Sequence, residues 1–235
     1  MSSRASFVLL FLLAAACRAE PQPNEFPKAG RVVAPIVNDS FSTEDVRDRT
    51  GEAEEVMRLA EIAPGMSVAD VGAGEGYYTV RLSPIVGRRG RVLAQDIVRV
   101  TRDRLAQRVQ RERLDNVAVR LGLPANPMLP EHSFDRIFLV HMYHEVTQPY
   151  EFLWHLREGL KPGGLVIVVD SDRPVKRHGM PPRQLSCEFA AVGLKPTKAS
   201  RLAGSDAYFV AFRVASPRPQ PGSIKPCAAE NLPKK

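Results

Sequence analysis

The sequence predicts an α/β domain built on a doubly wound, mostly parallel sheet. Strand-like apolar runs alternate with amphipathic helical stretches along most of the chain, the pattern of βα units. In addition, Val68-Ala69-Asp70-Val71 reads as a buried strand that runs directly into Gly72-Ala73-Gly74-Glu75-Gly76 and then into a helix. The 235 residues, less an apolar leader and a Pro-rich tail, suffice for one domain with a full core, and no internal repeat is present.

Taken in order, a helix is expected over 52–62, a strand over 67–71 and, beyond the glycine turn, a helix over 77–86 that stops at Gly87. A strand (91–95), a helix (101–113) and a strand (117–121) follow. The apolar run 135–140 forms the next strand. A helix over 149–159 ends before Lys161-Pro162-Gly163-Gly164, and Leu165 to Asp170 reads as the fifth strand. After a helix over 182–192, two strands (194–203 and 207–214) are separated by the turn residues Gly204-Ser205-Asp206.

The glycine turn carries the first chemical information. Glycines at alternate positions remove Cβ atoms, so the backbone can take φ > 0 and approach a ligand closely. The helix behind them points its free N–H groups at the same place. A dinucleotide fingerprint would need a third glycine at position 77, which is a tyrosine. The spacing here is G-x-G-x-G with Asp70 two residues ahead. Gly90 to Asp96 then forms a strand ending in an acid about 20 residues beyond the turn, where a carboxylate accepts hydrogen bonds from ribose hydroxyls.

These elements, with Phe134 to Val140 and Leu160 to Asp170 in the same order, resemble the class I S-adenosylmethionine (SAM) dependent methyltransferases. The resemblance runs from about Glu52 to Val214. It implies a Rossmann-like sheet of seven strands closed by a C-terminal antiparallel hairpin, with SAM as cofactor. It also implies a cofactor site at Asp70, Gly72, Gly74, Gly76, Asp96, Ile97 and Gly122. In this family an acid commonly ends the third strand and accepts from the adenine amino group. Here that place holds Leu123, and backbone at Gly122 or the Asn126 amide are the substitutes within reach.

The acceptor side falls at Val140-His141-Met142-Tyr143-His144-Glu145, because ligands of open α/β sheets bind at the carboxyl ends of the strands. His141 and His144 are candidate general bases, since imidazole titrates near neutrality; Tyr143 and Glu145 are weaker candidates. Packing against the cofactor is the alternative role for these side chains. No metal site is expected: a hard cation such as Mg2+ wants several oxygens at one point, and histidines are not its preferred ligands.

Residues 1–17 carry a different message. A basic start and the apolar run Ala5 to Ala16, too short to span a bilayer, read as an export signal. Its end, Ala14-Ala15-Ala16-Cys17, is similar to a bacterial lipobox, which makes a lipid-anchored envelope protein the expectation; plain secretion, an uncleaved anchor holding the domain on the cytosolic side, and a misassigned start are the alternatives. Residues 18–42, with four prolines, read as a tether, 43–215 as the domain, and 216–235 as a basic, Pro-rich, disordered tail. If Cys17 carries lipid, Cys187 and Cys227 remain as an even pair in an oxidising compartment, either bridged or free.

The formal charge of +7 resides in the helix near Arg99 to Arg113 and in the tail. Without a basic stripe interleaved with aromatics, a nucleic-acid partner is not expected. The expected partner is a small-molecule or lipid-linked acceptor, with membrane contact through Cys17. Because SAM is made in the cytosol, an exported enzyme would need it delivered. A non-catalytic envelope scaffold that keeps the fold is therefore the competing function.

Overall fold

The computed structural model describes residues 25–36 and 44–228. The leader with Cys17, most of the expected tether and residues 229–235 lie outside the described residues. Seven strands form one sheet in the order β3-β2-β1-β4-β5-β7-β6. They are β1 (Ser67–Val71), β2 (Arg91–Asp96), β3 (Val117–Leu121), β4 (Phe134–Val140), β5 (Leu160–Ser171), β6 (Leu194–Arg201) and β7 (Ala207–Val214). The first five are parallel; β7 pairs antiparallel with both β5 and β6, so the expected terminal hairpin is present.

Among the described residues, six α-helices accompany the strands: α1 (Glu44–Arg49), α2 (Glu52–Leu59), α3 (Tyr77–Val86), α4 (Arg99–Arg111), α5 (Pro149–Leu156) and α6 (Pro182–Ala191). Successive side chains of a strand face opposite ways. Val68 accordingly joins the core under α2 and α3, with Tyr78, Leu82 and Val86, while Ala69 and Val71 join the core under α5 and α6, with Leu153, Leu185 and Phe189. The chain order reverses between β1 and β4, which opens a crevice at the carboxyl ends of these strands.

Besides shifts of one to three residues at the ends of α2, α4, α6, β2, β4 and β6, three features differ from the sequence reading. α1 was not expected, because six residues are too few to show a helical period. The helix expected to reach 159 stops at Leu156 and finishes as a 3-10 turn over Arg157–Gly159. β5 begins five residues early: Leu160 pairs with Phe134 before a register shift that Gly163, at φ 79°, accommodates.

The described parts of the expected tether and tail are packed, which corrects the reading of residues 216–235 as disordered for 216–228. Cys187 and Cys227 are disulfide-bonded. Trp154 donates its indole N–H to the Pro219 carbonyl at 2.9 Å, and Arg218 lies over the Trp154 ring at 3.4 Å. Phe26 meets the same indole edge-on at 5.4 Å. Proline-rich composition argued for disorder; one covalent link and one aromatic anchor overcome the ordering cost.

Candidate cofactor and active site

The glycine turn is tied to β2, since Gly72 and Ala73 both donate to the Gln95 carbonyl, at 2.8 and 2.9 Å. Gly72, Gly74 and Gly76 all have left-handed φ, at 71°, 56° and 93°, yet they serve different ends. A Cβ on Gly74 would meet nothing within 4 Å, so this glycine faces open space. A Cβ on Gly72 would lie 2.8 Å from Met142 Cγ, and one on Gly76 would lie 2.5 Å from Leu105 Cδ1. Gly76 thus lets α3 pack against α4.

A cavity of about 890 Å³ opens above this turn, at the upper end of the size range of small-molecule sites. Asp70, Gly72, Gly74, Asp96 and Ile97 line it, as the sequence predicts. The buried Asp96 carboxylate accepts from Gly74 N–H at 3.1 Å and Val98 N–H at 2.8 Å. Each oxygen keeps lone-pair capacity for a ligand hydroxyl. Burial raises the Asp96 pKa, opposed by those backbone N–H groups. Asp70, fully enclosed, accepts from the Thr79 hydroxyl at 2.6 Å; desolvation is the larger effect and pushes its pKa up to about 6.

Gly76 and Gly122 do not line the cavity. Gly122 has a packing task instead: a Cβ there would fall 1.2 Å from the amide nitrogen of the buried Gln95. Leu123 is exposed.

His141 and Glu145 line the same cavity. His141, at φ 51°, holds its Nε2 3.1 Å from the Glu52 carboxylate. Glu52 also receives Arg47 at 2.6 Å and the Tyr78 hydroxyl at 3.1 Å. Burial alone would raise the Glu52 pKa, but His141 and Arg47 together bring it down to about 2. When His141 is neutral and Glu52 accepts from Nε2–H, Nδ1 is left as the acceptor nitrogen, the arrangement of an oriented general base.

Tyr143 and His144 do not reach the cavity wall. Tyr143 is fully buried and donates to Glu188 at 2.7 Å, so its catalytic candidacy gives way to a packing role. His144 is also fully buried, its Nδ1 3.0 Å from both Asp170 oxygens.

Several lining residues had no sequence signal. Arg47 lies 3.8 Å over the Tyr77 ring and pairs with Glu52 at the cavity wall. α1 is held there by Arg81, which pairs with Asp48 at 2.7 Å, and by Arg108, which pairs with Glu44. The β6–β7 turn contributes Gly204 to Asp206, with Asp206 held by Arg173 at 2.7 Å.

An open seven-stranded sheet with this reversed terminal hairpin, a glycine turn after β1 and carboxylates toward the ends of β1 and β2 is the fold of class I SAM-dependent methyltransferase domains. Residues 69–168 match the family described as "Methyltransferase domain". Among curated relatives, the "Ubiquinone/menaquinone biosynthesis C-methyltransferase UbiE" of Shewanella frigidimarina is 32% identical over 123 residues, which cover 50% of this chain and 47% of the relative. The chain thus spans about half the length of the curated relatives it matches. Among solved structures, a SAM dependent methyltransferase from Aquifex aeolicus superposes with a TM-score of 0.67 at 23% identity, over 72% of this chain and 93% of that one. The "[4+2]-Cyclase SpnF" superposes with a TM-score of 0.59 at 16% identity, over 76% of this chain and 79% of that one. Likeness of that degree is a likeness of fold, and the reaction has to be argued from the site.

Proposed function

We propose that the protein binds SAM in the cradle of Asp70, Gly72, Gly74 and Asp96 and transfers its methyl group to an acceptor held between His141, Glu145 and the β6–β7 turn. One observation carries the reading: the carboxylates that end β1 and β2 and the oriented His141 open into a single cavity. Asp96 receives the ribose hydroxyls and Asp70 faces the cationic methionine portion. Methyl transfer is an in-line displacement at a sulfonium, so holding the nucleophile in line supplies much of the acceleration. Where the nucleophile carries a proton, His141 takes it at Nδ1 while Glu52 stabilises the imidazolium.

The UbiE relative's name concerns quinone C-methylation, and a small phenolic or lipid-linked quinone-like acceptor is the substrate class we assign first. The leader places the domain in the cell envelope in our reading, anchored through Cys17, and SAM must then be supplied to that compartment. Among the described residues, no helix is long and apolar enough to cross a membrane.

Calorimetric titration with SAM, S-adenosylhomocysteine and NAD tests the cofactor assignment. The expected result is SAM binding in the micromolar range, at least about tenfold weaker in Asp96→Ala through loss of charge-assisted hydrogen bonds, and no NAD binding. Failure of all three to bind would replace the enzyme with a scaffold that retains the fold.

A further inference from the structure

We propose that His144, Glu145 and His178 form a site for a divalent transition metal ion of the zinc type, adjoining the cavity wall at Glu145. One donor atom from each of the three lies within 4.8 Å of the other two. His144 Nε2 is 4.0 Å from Glu145 Oε1, and the two imidazole rings stand 5.7 Å apart at 84°. Ligands about 2.1 Å from a tetrahedral zinc lie about 3.4 Å from one another. The three groups therefore need to close by little more than 1 Å, within the reach of the partly exposed Glu145 and His178 side chains.

The surroundings are those of a built site. Asp170, fully buried, holds His144 Nδ1 with both oxygens at 3.0 Å, which directs Nε2 to the cluster; a carboxylate behind a ligating histidine fixes its tautomer and raises its basicity. The His144 carbonyl is gripped by Ala34 N–H at 3.1 Å and by Arg31 at 3.3 Å. His178 takes the left-handed conformation at φ 53°, unusual for a residue with a side chain, and closes a 3-10 turn by donating to Val175 O at 2.9 Å. Its neighbour Met180 is pinned twice, by its N–H to Ser171 O at 2.9 Å and by the Tyr208 hydroxyl donating to its carbonyl. Two imidazoles and one carboxylate suit zinc, cobalt or iron(II) rather than magnesium. Three protein ligands leave a coordination position open, as catalytic zinc sites do, and Glu145 places the ion beside the cavity.

The inference stands apart from methyl transfer and is tested without it. Untagged, chelator-treated full chain is titrated with Co2+, followed by visible absorption, and with Zn2+ by calorimetry. The expected result is one equivalent bound with the intense visible bands of low-coordinate Co2+. Binding should weaken at least tenfold in His178→Ala and in Glu145→Gln and stay unchanged in His132→Ala, whose histidine is exposed and distant. Melting curves check that each variant is folded. SAM titration of His178→Ala separates the two proposals, since cofactor binding should survive there. Absence of a stoichiometric Co2+ signal, or a signal indifferent to both cluster variants, would overturn the site.

Discussion

Asp70 is a carboxyl whose titration burial moves up toward neutral pH. Its folded pKa of about 6 lies above the ordinary carboxylate value, so the stability it contributes is full below about pH 4 and is lost as pH rises through 6. At one pKa unit per 1.36 kcal/mol, the ionised form costs about 3 kcal/mol in the empty domain. A cationic ligand beside it reverses the preference, because the charged carboxylate then has a partner. SAM affinity should therefore weaken about tenfold for each pH unit below 6 and level off above it, and Asp70→Asn should flatten the profile; calorimetry from pH 5 to 8 reads this directly. At the same scale, Asp70 and Asp96 were legible in the sequence because each ends a strand beside a recognisable turn. The Glu52–His141 pair was not, since 89 residues separate its members and neither has a motif. Gly122 was legible as a glycine but not for its reason, which is the room it leaves for the buried Gln95.

Among the elements, those with a clear period or a glycine stop were placed within a few residues, and α3, β1, β3 and β7 have the very bounds that pattern and punctuation indicate. α1 escaped notice because its position depends on ion pairs and on Arg47 stacking over Tyr77, all of them tertiary. The tail escaped for a similar reason: composition describes a segment's own preferences, whereas Cys227, Pro219 and Arg218 act through partners on α5 and α6. Closing a loop over a separation of 40 residues stabilises by roughly 4 kcal/mol in the chain-entropy picture. Cys187→Ser with Cys227→Ser should lower the unfolding free energy by about 3 to 4 kcal/mol. Denaturant titration measures it, and reductant should bring the parent protein to the same midpoint.

For the whole molecule, alternation of strands and helices gave the parallel sheet, and the crevice between β1 and β4 follows from strand order. What pattern alone did not reveal is how the two ends of the described chain meet beneath the acceptor side. Gly30 lies against the Cys227 backbone so closely that a Cβ would fall 2.2 Å from its carbonyl oxygen. From there Arg31 reaches the carbonyls of Tyr143 and His144, across 112 and 113 residues, and pairs with the buried Glu188 at 2.9 Å.

This clasp makes the two halves of the cavity separable by cutting. The cradle of Asp70, Gly72, Gly74 and Asp96 is assembled from β1, β2 and their turns, whose hydrogen bonds do not involve the Arg31 segment, although Ile36 of that segment lines the same cavity. The loop from Tyr143 to Glu145 is fastened by that segment from outside the sheet. A protease that removed residues up to about Asp39 would leave a domain that still takes up its cofactor but holds the acceptor end slackly. Limited digestion should thus yield a fragment with near-native SAM affinity and faster amide exchange at 141–146. Such a product would take up cofactor without holding an acceptor, so proteolysis could silence the protein without unfolding it.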